Sequence, residues 1–525
     1  MTKINQSVWR NTTPQNIVSS LNQSIEVDVC IIGAGITGVS TAFYLAENKK
    51  SVALVDANSI SNGVTADTTA HLTWILDDRY YEYAEKIGEL NTELLALSHQ
   101  AAIDEIEKNV TNKAIDCNFQ RVSGYLMGEK KDSEETFRKE AEFLKKLKLN
   151  ETSSTANQFI EGFEKKTFLH FPNQAQFHPL RYIHGLCMSI QSAGGQIFTN
   201  TKVVDIEEKD KIRIKTQEGH TITANQLVVA THSPINNMFT MHTKQAPYQS
   251  YAVAMKIPAR SYTHALYWDD LDPYHYVRFA SASDHDLIIV GGEDHKTGQA
   301  NDMDERFERL ETWCREHFSK AQETAYRWSA EVMEPIDRIG FIGRNPHSKN
   351  VYIATGFSGN GITYGTISGM LIKDLILERE NPWQELYDPA RIPLREAGTF
   401  AKENLNVALQ FKDWLKPGEV SSVEEIALGE GANIRKGLRM LAVYKDESGQ
   451  CHTYSAKCPH LGCVVHWNTA TKTFDCPCHG SRFSCQGKVI TGPALNDLSS
   501  EDMDLPDGQV ESVVGQTTKL PAEKA

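Results

Sequence analysis

The sequence predicts a modular α/β protein: a Rossmann-like dinucleotide-binding domain, an interleaved α+β domain and a small separate domain at the C-terminal end. Two glycine-rich turns, Gly33 to Gly38 and Gly356 to Gly361, each lie between a predicted strand and a predicted helix. A group of cysteines and histidines between Cys458 and His479 marks the last domain. With 525 residues, 40% of them hydrophobic, the chain can form more than two domains.

The first glycine-rich turn has the surroundings of a dinucleotide site. Residues 27–32 are mostly apolar and β-branched, which predicts a buried parallel strand. An amphipathic helix is expected from about Thr37 to Asn48, and a second strand, Ser51 to Val55, ends at Asp56. A lone G-x-G-x-x-G is weak evidence, but this order of strand, turn, helix, strand and acid strongly predicts dinucleotide binding.

The residues of this unit have separate expected roles. Gly33 makes the tight turn, Gly35 lets the backbone approach the pyrophosphate, and Gly38 lets the helix pack on the strand. The helix N-terminus offers free N–H groups to the phosphates. Asp56 lies where an acid can bind ribose hydroxyls.

Three distant segments favour FAD over NAD. Residues 63–69 form a small-residue turn, and residues 224–232 resemble a strand that returns beneath the first helix. In residues 351–365 a strand again ends in a glycine-rich turn, before a helix expected at about Thr366 to Glu380. The alternative for this last segment is a strand–helix unit without a ligand.

Residues 351–365 resemble the C-terminal FAD motif of the D-amino-acid oxidase (DAO) superfamily, which includes sarcosine, glycine and glutamylputrescine oxidases. The resemblance covers most of residues 20–385 and implies a DAO/glutathione-reductase-like fold with bound FAD. In that family the turn lies near the flavin ring, and the helix dipole would stabilise anionic reduced flavin. Besides the residues already named, the expected FAD contacts are Thr65, Thr68, Thr69, His71, Gly356, Gly359, Asn360, Gly361 and Ile362.

The C-terminal cysteines and histidines fall in two loops. The first reads Cys458-Pro-His460-Leu-Gly-Cys463 and the second Cys476-Pro-Cys478-His479-Gly-Ser481. A site with two thiolates and two imidazoles on a 2Fe-2S cluster has a higher potential than a four-thiolate site. The alternative from the residues alone is a zinc site.

These two loops resemble the Rieske family and imply an all-β domain at about 416–515. On that resemblance Cys458 and Cys476 hold one iron, and His460 and His479 hold the other. Cys463 and Cys478 match positions that form a disulfide in high-potential members; the alternative is two buried free thiols. Ser481 matches a residue that hydrogen-bonds a sulfide, whereas Phe483 replaces a tyrosine, which predicts an intermediate potential.

The resemblances also imply the domain organisation. A helix from Thr399 to Leu415 is expected in the linker. The expected domains are a discontinuous FAD-binding domain at 20–95, 165–235 and 330–385, a substrate domain at 96–164 and 236–329, a linker at 386–415 and the Rieske domain at 416–515.

DAO enzymes oxidise C–N bonds and often hold substrate carboxylates with Arg and Tyr. The candidates here are Tyr276 and Arg278, which share one face of a predicted strand, and Arg327. Glu331 is a candidate for binding a cationic amine instead. The alternative for the strand pair is an outward-facing or purely structural role.

His71 follows a segment similar to the one through which some relatives attach FAD covalently. The resemblance makes covalent attachment one possibility. The other is a histidine that stands near the flavin without binding it.

Charge and motifs limit the function. A net charge of −14 argues against a nucleic-acid surface. The N-terminus has no signal pattern, and the apolar stretch from Val27 to Ala46 is explained by strand, turn and helix, so a cytoplasmic protein without a transmembrane segment is expected.

The expected function is an FAD-dependent dehydrogenase or oxidase of an amine, amino acid or N-methylated compound, with electrons leaving through the cluster to an unknown acceptor. Two alternatives stay open. One is a fused ferredoxin and reductase serving an oxygenase, which would need a second Rossmann fingerprint for NAD(P)H. The other is a redox sensor.

Overall fold

Two large β-sheets and two small ones organise the chain. The computed structural model describes residues 2–13, 18–149, 153–156, 166–236, 241–392 and 394–502. The α-helices in these residues are α1 Val8–Asn11, α2 Ile36–Glu47, α3 Tyr80–Ile87, α4 Glu89–Asn112, α5 Ser133–Lys146, α6 Pro179–Ser192, α7 Met303–His317, α8 Gly361–Ile376, α9 Gln384–Tyr387 and α10 Ala397–Gln410.

The strands are β1 Lys3–Ile4, β2 Ile25–Ile32, β3 Val52–Val55, β4 His71–Leu72, β5 Gln120–Gly128, β6 Ser153–Ala156, β7 Thr167–Gln176, β8 Gln196–Phe198, β9 Val203–Glu208, β10 Ile212–Thr216, β11 Thr221–Val229, β12 Gln245–Pro258, β13 Leu266–Asp269, β14 His275–Ser281, β15 His285–Lys296, β16 Thr324–Pro335, β17 Phe341–Arg344, β18 Val351–Thr355, β19 Glu430–Lys436, β20 Arg439–Lys445, β21 Cys451–Ser455, β22 His466–Asn468, β23 Thr473–Asp475, β24 Arg482–Ser484 and β25 Val489–Thr491.

The first large sheet is the predicted Rossmann-like sheet. Its main path is β17-β18-β11-β2-β3-β8, with β9 and β10 joined through β11. Strand β2 pairs in parallel with β3 and β11, and β11 pairs in parallel with β18. Helices α2 and α8 pack against each other. The strands that precede the two glycine-rich turns, β2 and β18, both pair in parallel with β11, which lies between them, so the two turns lie at the carboxyl ends of strands that are one strand apart. This α/β arrangement is the one that the sequence predicts.

Helix α8 begins five residues earlier than the sequence predicts, at Gly361 instead of Thr366. The glycines up to Gly365 suggest a longer turn, but Gly365 lies inside the helix, as Gly369 does, and both are required for packing. A Cβ on Gly365 would stand 2.7 Å from the Ile36 side chain, and one on Gly369 would stand 2.9 Å from the backbone of Ser40. Close approach of α2 and α8 therefore requires glycine within the helix.

The second large sheet covers the cavity side of the first. Its path is β1-β16-β12-β15-β14-β13-β5-β7-β4, with β6 paired to β7. Strand β5 lies in the first part of the predicted substrate domain, residues 96–164, together with α5 and most of α4. Strand β7 and the second half of β16, from Ala330 onward, fall in segments assigned from sequence to the FAD domain, yet both strands belong to this sheet, because long-range pairing decides where a strand lies.

The C-terminal domain is all-β in its described part. It consists of a three-stranded sheet, β19-β20-β21, and a four-stranded sheet, β22-β23-β24-β25. The linker contains α10, followed by a 3-10 helix at Phe411–Leu415 in place of one continuous helix. Residues 503–515 of the predicted domain lie outside the described residues. No helix in the described part of the chain is long and apolar enough to span a membrane.

Candidate functional site

A cavity of about 840 Å³ lies between the two large sheets and the C-terminal domain. Its walls include both predicted glycine-rich turns, the strand end at Asp56 and the threonines of residues 65–69. Residues 489–495 of the C-terminal domain also contribute to the wall. One cavity therefore joins the dinucleotide-binding motifs to the domain that carries the cysteines and histidines.

The first glycine-rich turn has room only for glycine at two positions. Gly33 has φ +105°, and a Cβ there would stand 2.4 Å from the carbonyl oxygen of Ala230. A Cβ on Gly38 would stand 1.8 Å from the carbonyl oxygen of Gly33. A Cβ on Gly35, which lines the cavity, would crowd Thr65 Oγ1 at 3.0 Å. The backbone is thus open to a phosphate on the cavity side.

Asp56 holds the turn as well as lining the cavity. Its Oδ2 accepts a hydrogen bond from Ala34 N–H at 2.7 Å, and its Oδ1 accepts one from Asn58 N–H at 2.8 Å. Burial raises the pKa of this carboxyl group, while the two N–H donors oppose the rise. Thr65 Oγ1 accepts from Ile36 N–H at 3.1 Å and so fixes the start of α2.

The second turn delivers the N-terminus of α8 to the same cavity. Gly359, Asn360, Gly361 and Ile362 line it, and a Cβ on Gly361 would meet nothing within 4 Å. Gly356 has φ +73° and makes the turn without lining the cavity. The free N–H groups at the start of α8 therefore face open space, as a bound anionic ring system requires.

Strand β14 and the residue that precedes it supply the opposite wall. Tyr274 and Tyr276 line the cavity. The hydroxyl of Tyr274 is 3.3 Å from Asp294 Oδ2, and a Cβ on Gly359 would stand 3.8 Å from that hydroxyl. Asp77 stands across from Gly359 at a similar distance. No sequence motif surrounds Asp77 or Asp294, so the sequence does not predict that these two acidic residues lie here.

Arg278 does not line the cavity. It is 3% exposed, and its Nη1 donates to the carbonyl oxygens of Thr69, Ala70 and Phe177 at 2.7–3.1 Å. Its guanidinium also lies over the ring of Trp9. The placement argues against the predicted role of Arg278 in substrate binding, because its donors hold the backbone behind Tyr276 together.

Of the two remaining predicted substrate residues, Glu331 lines the cavity and Arg327 does not. Arg327 Nη2 pairs with Glu311 at 2.6 Å away from the cavity, which argues against a substrate role. Glu331 lines the cavity, is buried, and has its Oε1 3.5 Å from His232 Nε2. Burial raises the pKa of Glu331, and His232 opposes the rise.

The predicted cluster loops come together at the tip of the C-terminal domain. The sulfur atoms of Cys463, Cys476 and Cys478 lie within 4.8 Å of one another, and Cys463 and Cys478 form a disulfide with Cα atoms 6.5 Å apart. The rings of His460 and His479 have centroids 5.0 Å apart. The two loops are therefore joined by a disulfide, and their histidines lie next to each other.

Profiles of two families match the chain. That of the DAO family, described as FAD dependent oxidoreductase, matches residues 28–375. That of the Rieske [2Fe-2S] domain matches residues 416–502.

The chain belongs to the DAO family of FAD-dependent oxidoreductases and carries a C-terminal Rieske domain. The Bacillus subtilis protein YhfW, whose name describes it as a Rieske 2Fe-2S iron-sulfur protein, is 32% identical over 503 residues, 95% of this chain and 98% of YhfW. The chloroplastic cytochrome b6-f complex iron-sulfur subunit of Triticum aestivum is 30% identical over 199 residues, 35% of this chain and 83% of that subunit.

Glycine oxidase from Geobacillus kaustophilus has the same fold over 70% of this chain and 99% of its own, with a TM-score of 0.59 and 17% identity. The cofactors of this DAO–Rieske protein are accordingly FAD and a 2Fe-2S cluster.

The residues present fit both cofactors. For FAD, the glycine cradle, Asp56 and the open N-terminus of α8 face one cavity. For the cluster, Nδ1 of His479 is buried and has no hydrogen-bond partner among the described residues, which suits a metal ligand. Cys458 and Cys476 are also buried. A thiolate and imidazole set in two loops is what a Rieske cluster requires.

His71 lies at the FAD cavity with both ring nitrogens engaged. Its Nε2 is 3.1 Å from the carbonyl oxygen of Val277, and its Nδ1 is 3.2 Å from Thr69 Oγ1. Burial lowers its pKa to about 3. Covalent attachment of FAD would break one of these contacts, and retention of yellow colour on acid-precipitated protein is the measurement that decides between the two possibilities.

The Rieske domain meets the DAO domain directly beside its histidines. His242, buried in the DAO domain, has its ring centroid 5.0 Å from that of His460 and 5.9 Å from that of His479. A Cβ on Gly480 would stand 3.0 Å from Glu331 Oε2. Sequence reasoning missed His242, because no motif surrounds it and only the docking of the two domains brings it here.

Ser481 and Phe483 occupy the positions expected to tune the cluster. Ser481 is fully buried, and its Oγ accepts a hydrogen bond from Ala494 N–H at 3.0 Å. This bond ties the Ser481 loop to the loop at Thr491–Ala494, which resembles the proline loop of Rieske domains. Phe483 is fully buried in the same apolar cluster as Cys458 and Cys476.

Replacing Phe483 with tyrosine is expected to raise the midpoint potential of the cluster. A hydroxyl that donates to a cysteine sulfur stabilises the reduced form. The midpoint potential of the cluster in the unsubstituted protein should lie in the lower or middle part of the Rieske range of roughly −150 to +300 mV. A redox titration followed by EPR measures the shift, with Phe474→Tyr, also fully buried on the neighbouring strand, as the control. An unchanged potential in the Phe483 variant would contradict the expectation.

Proposed function

We propose that this protein oxidises a C–N bond of a small amine, amino acid or N-methylated compound. We further propose that the electrons leave through the Rieske domain to an acceptor outside the chain. When bound, FAD accepts two electrons from a substrate, and the cluster passes electrons singly. The observation that carries the proposal is that residues 489–495 of the Rieske domain form part of the FAD cavity wall.

The interface between the domains supports transfer within the chain. Glu331 lines the cavity and also packs on Gly480, next to His479. Further contacts fix the domains: Thr469 Oγ1 donates to Asp304 Oδ2 at 3.0 Å, and Gln299 donates to the carbonyl oxygen of Pro477 at 3.3 Å. These contacts hold the Rieske domain against the DAO domain beside both cofactor sites.

The charges at the cavity favour a substrate with a positive amine. Asp77, Asp294 and Glu334 lie close enough to influence one another, with Arg338 as the nearby cation. Burial raises the pKa of Asp294 to about 7, and the charges of Glu334 and Asp77 add to the rise. Asp77 is exposed to the cavity, and desolvation by the surrounding walls, followed by the charge of Glu334, raises its pKa to about 6. A bound cation would relieve this repulsion.

Arg79 takes the place of Arg278 as the candidate partner for a substrate carboxylate. It lines the cavity beside Asp77, and its Nη1 is buried with no hydrogen-bond partner among the described residues. Its Nη2 donates to the carbonyl oxygen of Asp77 at 2.6 Å, which fixes the guanidinium in place. A zwitterionic amino acid would thus meet a cation, Arg79, and an acid, Asp77, in one cavity, with Asp294 and Glu334 close to Asp77.

Replacing Arg79 with glutamine is expected to raise KM for a carboxylate-bearing substrate by roughly 10- to 100-fold, the loss of one charged hydrogen-bonded contact. KM for the matching amine without the carboxylate should stay within about twofold. Steady-state kinetics on such a substrate pair measure the split, with Arg327→Gln as the control because Arg327 does not line the cavity. Equal losses on both substrates would contradict this role.

Replacing Asp294 with asparagine is expected to stabilise the protein increasingly as the pH rises. The pKa of Asp294 is raised in the folded state, so the fold favours the protonated form. Its contribution is therefore fully present below the unfolded value of 3.8 and is lost as pH rises through about 7. The variant should gain about 1–3 kcal/mol at pH 8 and almost nothing at pH 4. Thermal melts across this range measure it, and a pH-independent difference would contradict it.

An anaerobic reduction experiment tests the proposed function. Purified holoprotein is mixed separately with a panel of amines and amino acids and with NADH, while flavin absorbance and the EPR signal of the reduced Rieske cluster are followed. An amine or amino acid should bleach the flavin and produce the EPR signal, and NADH should do neither. Bleaching by NADH alone would instead favour the fused ferredoxin and reductase, and no reduction by any compound would favour a redox sensor.

A further inference from the structure

Helix α10 presents its polar side to the protein. Lys296 of β15 pairs with Glu403 at 2.5 Å, Asn404 donates to the carbonyl oxygen of Thr243 at 3.1 Å, and Asn406 accepts a hydrogen bond from Gln299 at 3.0 Å. Val407 is the residue of this side that packs on the apolar core of the Rieske domain. A surface helix normally turns its apolar stripe inward, so this arrangement is reversed.

The outward side of the same segment is apolar. Of the thirteen large apolar side chains that are exposed among the described residues, six lie between Ile392 and Leu415. Leu405 is 61% exposed on α10, and Leu415 is 87% exposed at the end of the following 3-10 helix. The other members are Ile392, Phe400, Leu409 and Phe411. Such a concentration of exposed apolar surface marks an interaction site.

The charges around this apolar face are of one sign. Lys402, Lys412 and Lys416 are exposed. The acids of the same segment, Glu396, Glu403 and Asp413, instead pair with cations of the rest of the protein, Lys86, Lys296 and His466. Lys416 pairs with Asp413, which leaves Lys402 and Lys412 as the basic flanks of the leucines on α10. The whole chain carries a net charge of −14, so this basic, apolar face contrasts with the rest of the molecule.

We propose that Ile392 and residues 395–416, the linker face, bind the surface of a membrane that contains anionic lipids. A helix with leucines on one side and flanking lysines lies in the plane of the lipid headgroups, with its apolar side chains in the acyl boundary. The lysines match the negative charge of anionic headgroups. A bilayer also suits the shape, because the exposed apolar side chains are spread along an elongated segment, α10 and the 3-10 helix after it, instead of around a pocket.

Membrane binding at this face would bring the Rieske domain close to the bilayer. Cys478 Sγ lies 3.9 Å from the carbonyl oxygen of Val407, and Trp414 Nε1 donates to the carbonyl oxygen of Gly462 at 2.9 Å. The linker face therefore lies directly over the two cysteine–histidine loops. The proposal rests on this geometry and does not depend on the proposed substrate.

Vesicle flotation with full-length holoprotein tests the proposal. Wild-type protein should float with vesicles of equal parts phosphatidylcholine and phosphatidylglycerol, and much less with pure phosphatidylcholine or in high salt. The double variant Leu405→Gln/Leu409→Gln should lose about tenfold in vesicle affinity. Lys402→Gln/Lys412→Gln should lose on the order of tenfold and should no longer respond to salt.

A matched control and two checks make the outcome decisive. Met188→Gln/Leu428→Gln removes exposed apolar side chains elsewhere and should float like the wild type. Flavin absorbance and the cluster EPR signal must be unchanged in every variant that is compared. Failure of the wild type to float, or equal flotation of Leu405→Gln/Leu409→Gln, would overturn the proposal. If the wild type does not float but sediments as a dimer, and the leucine variant sediments as a monomer, the face binds a second copy of the chain instead.

Discussion

Replacing Gly38 with alanine is expected to abolish FAD binding and to destabilise the protein by about 3 kcal/mol or more. A Cβ at this position would stand 1.8 Å from the carbonyl oxygen of Gly33 and 3.2 Å from the Ile31 side chain. The first of these is a backbone atom in the turn itself, so the clash cannot be relieved by rotating a side chain. Helix α2 would have to move away from β2, and the turn at Gly33 would change shape.

Gly63→Ala is the matched control for this substitution. Gly63 also lines the cavity, but a Cβ there would meet nothing within 4 Å, and its φ of −89° suits any residue. The control should keep its FAD and change stability by less than about 1 kcal/mol. Flavin absorbance per polypeptide and the thermal melting temperature measure both effects. A Gly38→Ala protein with a full complement of FAD would contradict the close helix–strand packing.

Replacing Arg278 with methionine is expected to destabilise the protein by about 3–5 kcal/mol. Its guanidinium holds three backbone carbonyl oxygens, two of them in the Thr69–Ala70 turn beside the FAD cavity. Methionine fills similar space but leaves those carbonyl groups buried without a donor. Burial lowers the pKa of Arg278 to about 9, so the group remains charged at neutral pH and its hydrogen bonds are charge-assisted.

Arg327→Met is the control, because the sequence predicts the same substrate-binding role for Arg327 as for Arg278. Arg327 is partly exposed and pairs with Glu311, and loss of such a pair should cost no more than about 1 kcal/mol. Urea denaturation followed by tryptophan fluorescence measures the two changes in the midpoint of unfolding. If Arg278→Met kept wild-type stability and only raised KM for substrate, the structural role given to Arg278 here would be wrong.

Local patterns in the sequence carry the predictions for both cofactor sites. Gly33, Gly35 and Gly38 are spaced by the geometry of a strand–turn–helix unit, so their roles follow from a few neighbouring residues. The cysteines and histidines of residues 458–479 are likewise confined to two short loops. The predicted start of helix α8 was five residues too late. The sequence suggests that Gly365 belongs to the turn, whereas its role is close contact with α2, which is distant in sequence.

The substrate residues show where sequence reasoning stops. Tyr276 and Arg278 alternate along β14 as residues that share a face should, yet only Tyr276 lines the cavity, because the carbonyl groups of a distant turn take up the donors of Arg278. Asp77 and Arg79 lie in one segment and Asp294 in another, and neither segment has a motif. Their proximity depends on how the segment before α3 packs near β15.

By itself, therefore, the sequence determined the family, the two cofactors and the loops expected to hold them, since each depends on residues close together in the chain. The tertiary structure alone decided what lies between and around those sites. It placed Glu331 and His242 against the cluster loops, brought residues 489–495 into the FAD cavity wall and turned the leucines of α10 outward. Each of these depends on packing between elements far apart in sequence, which no local pattern of residues encodes.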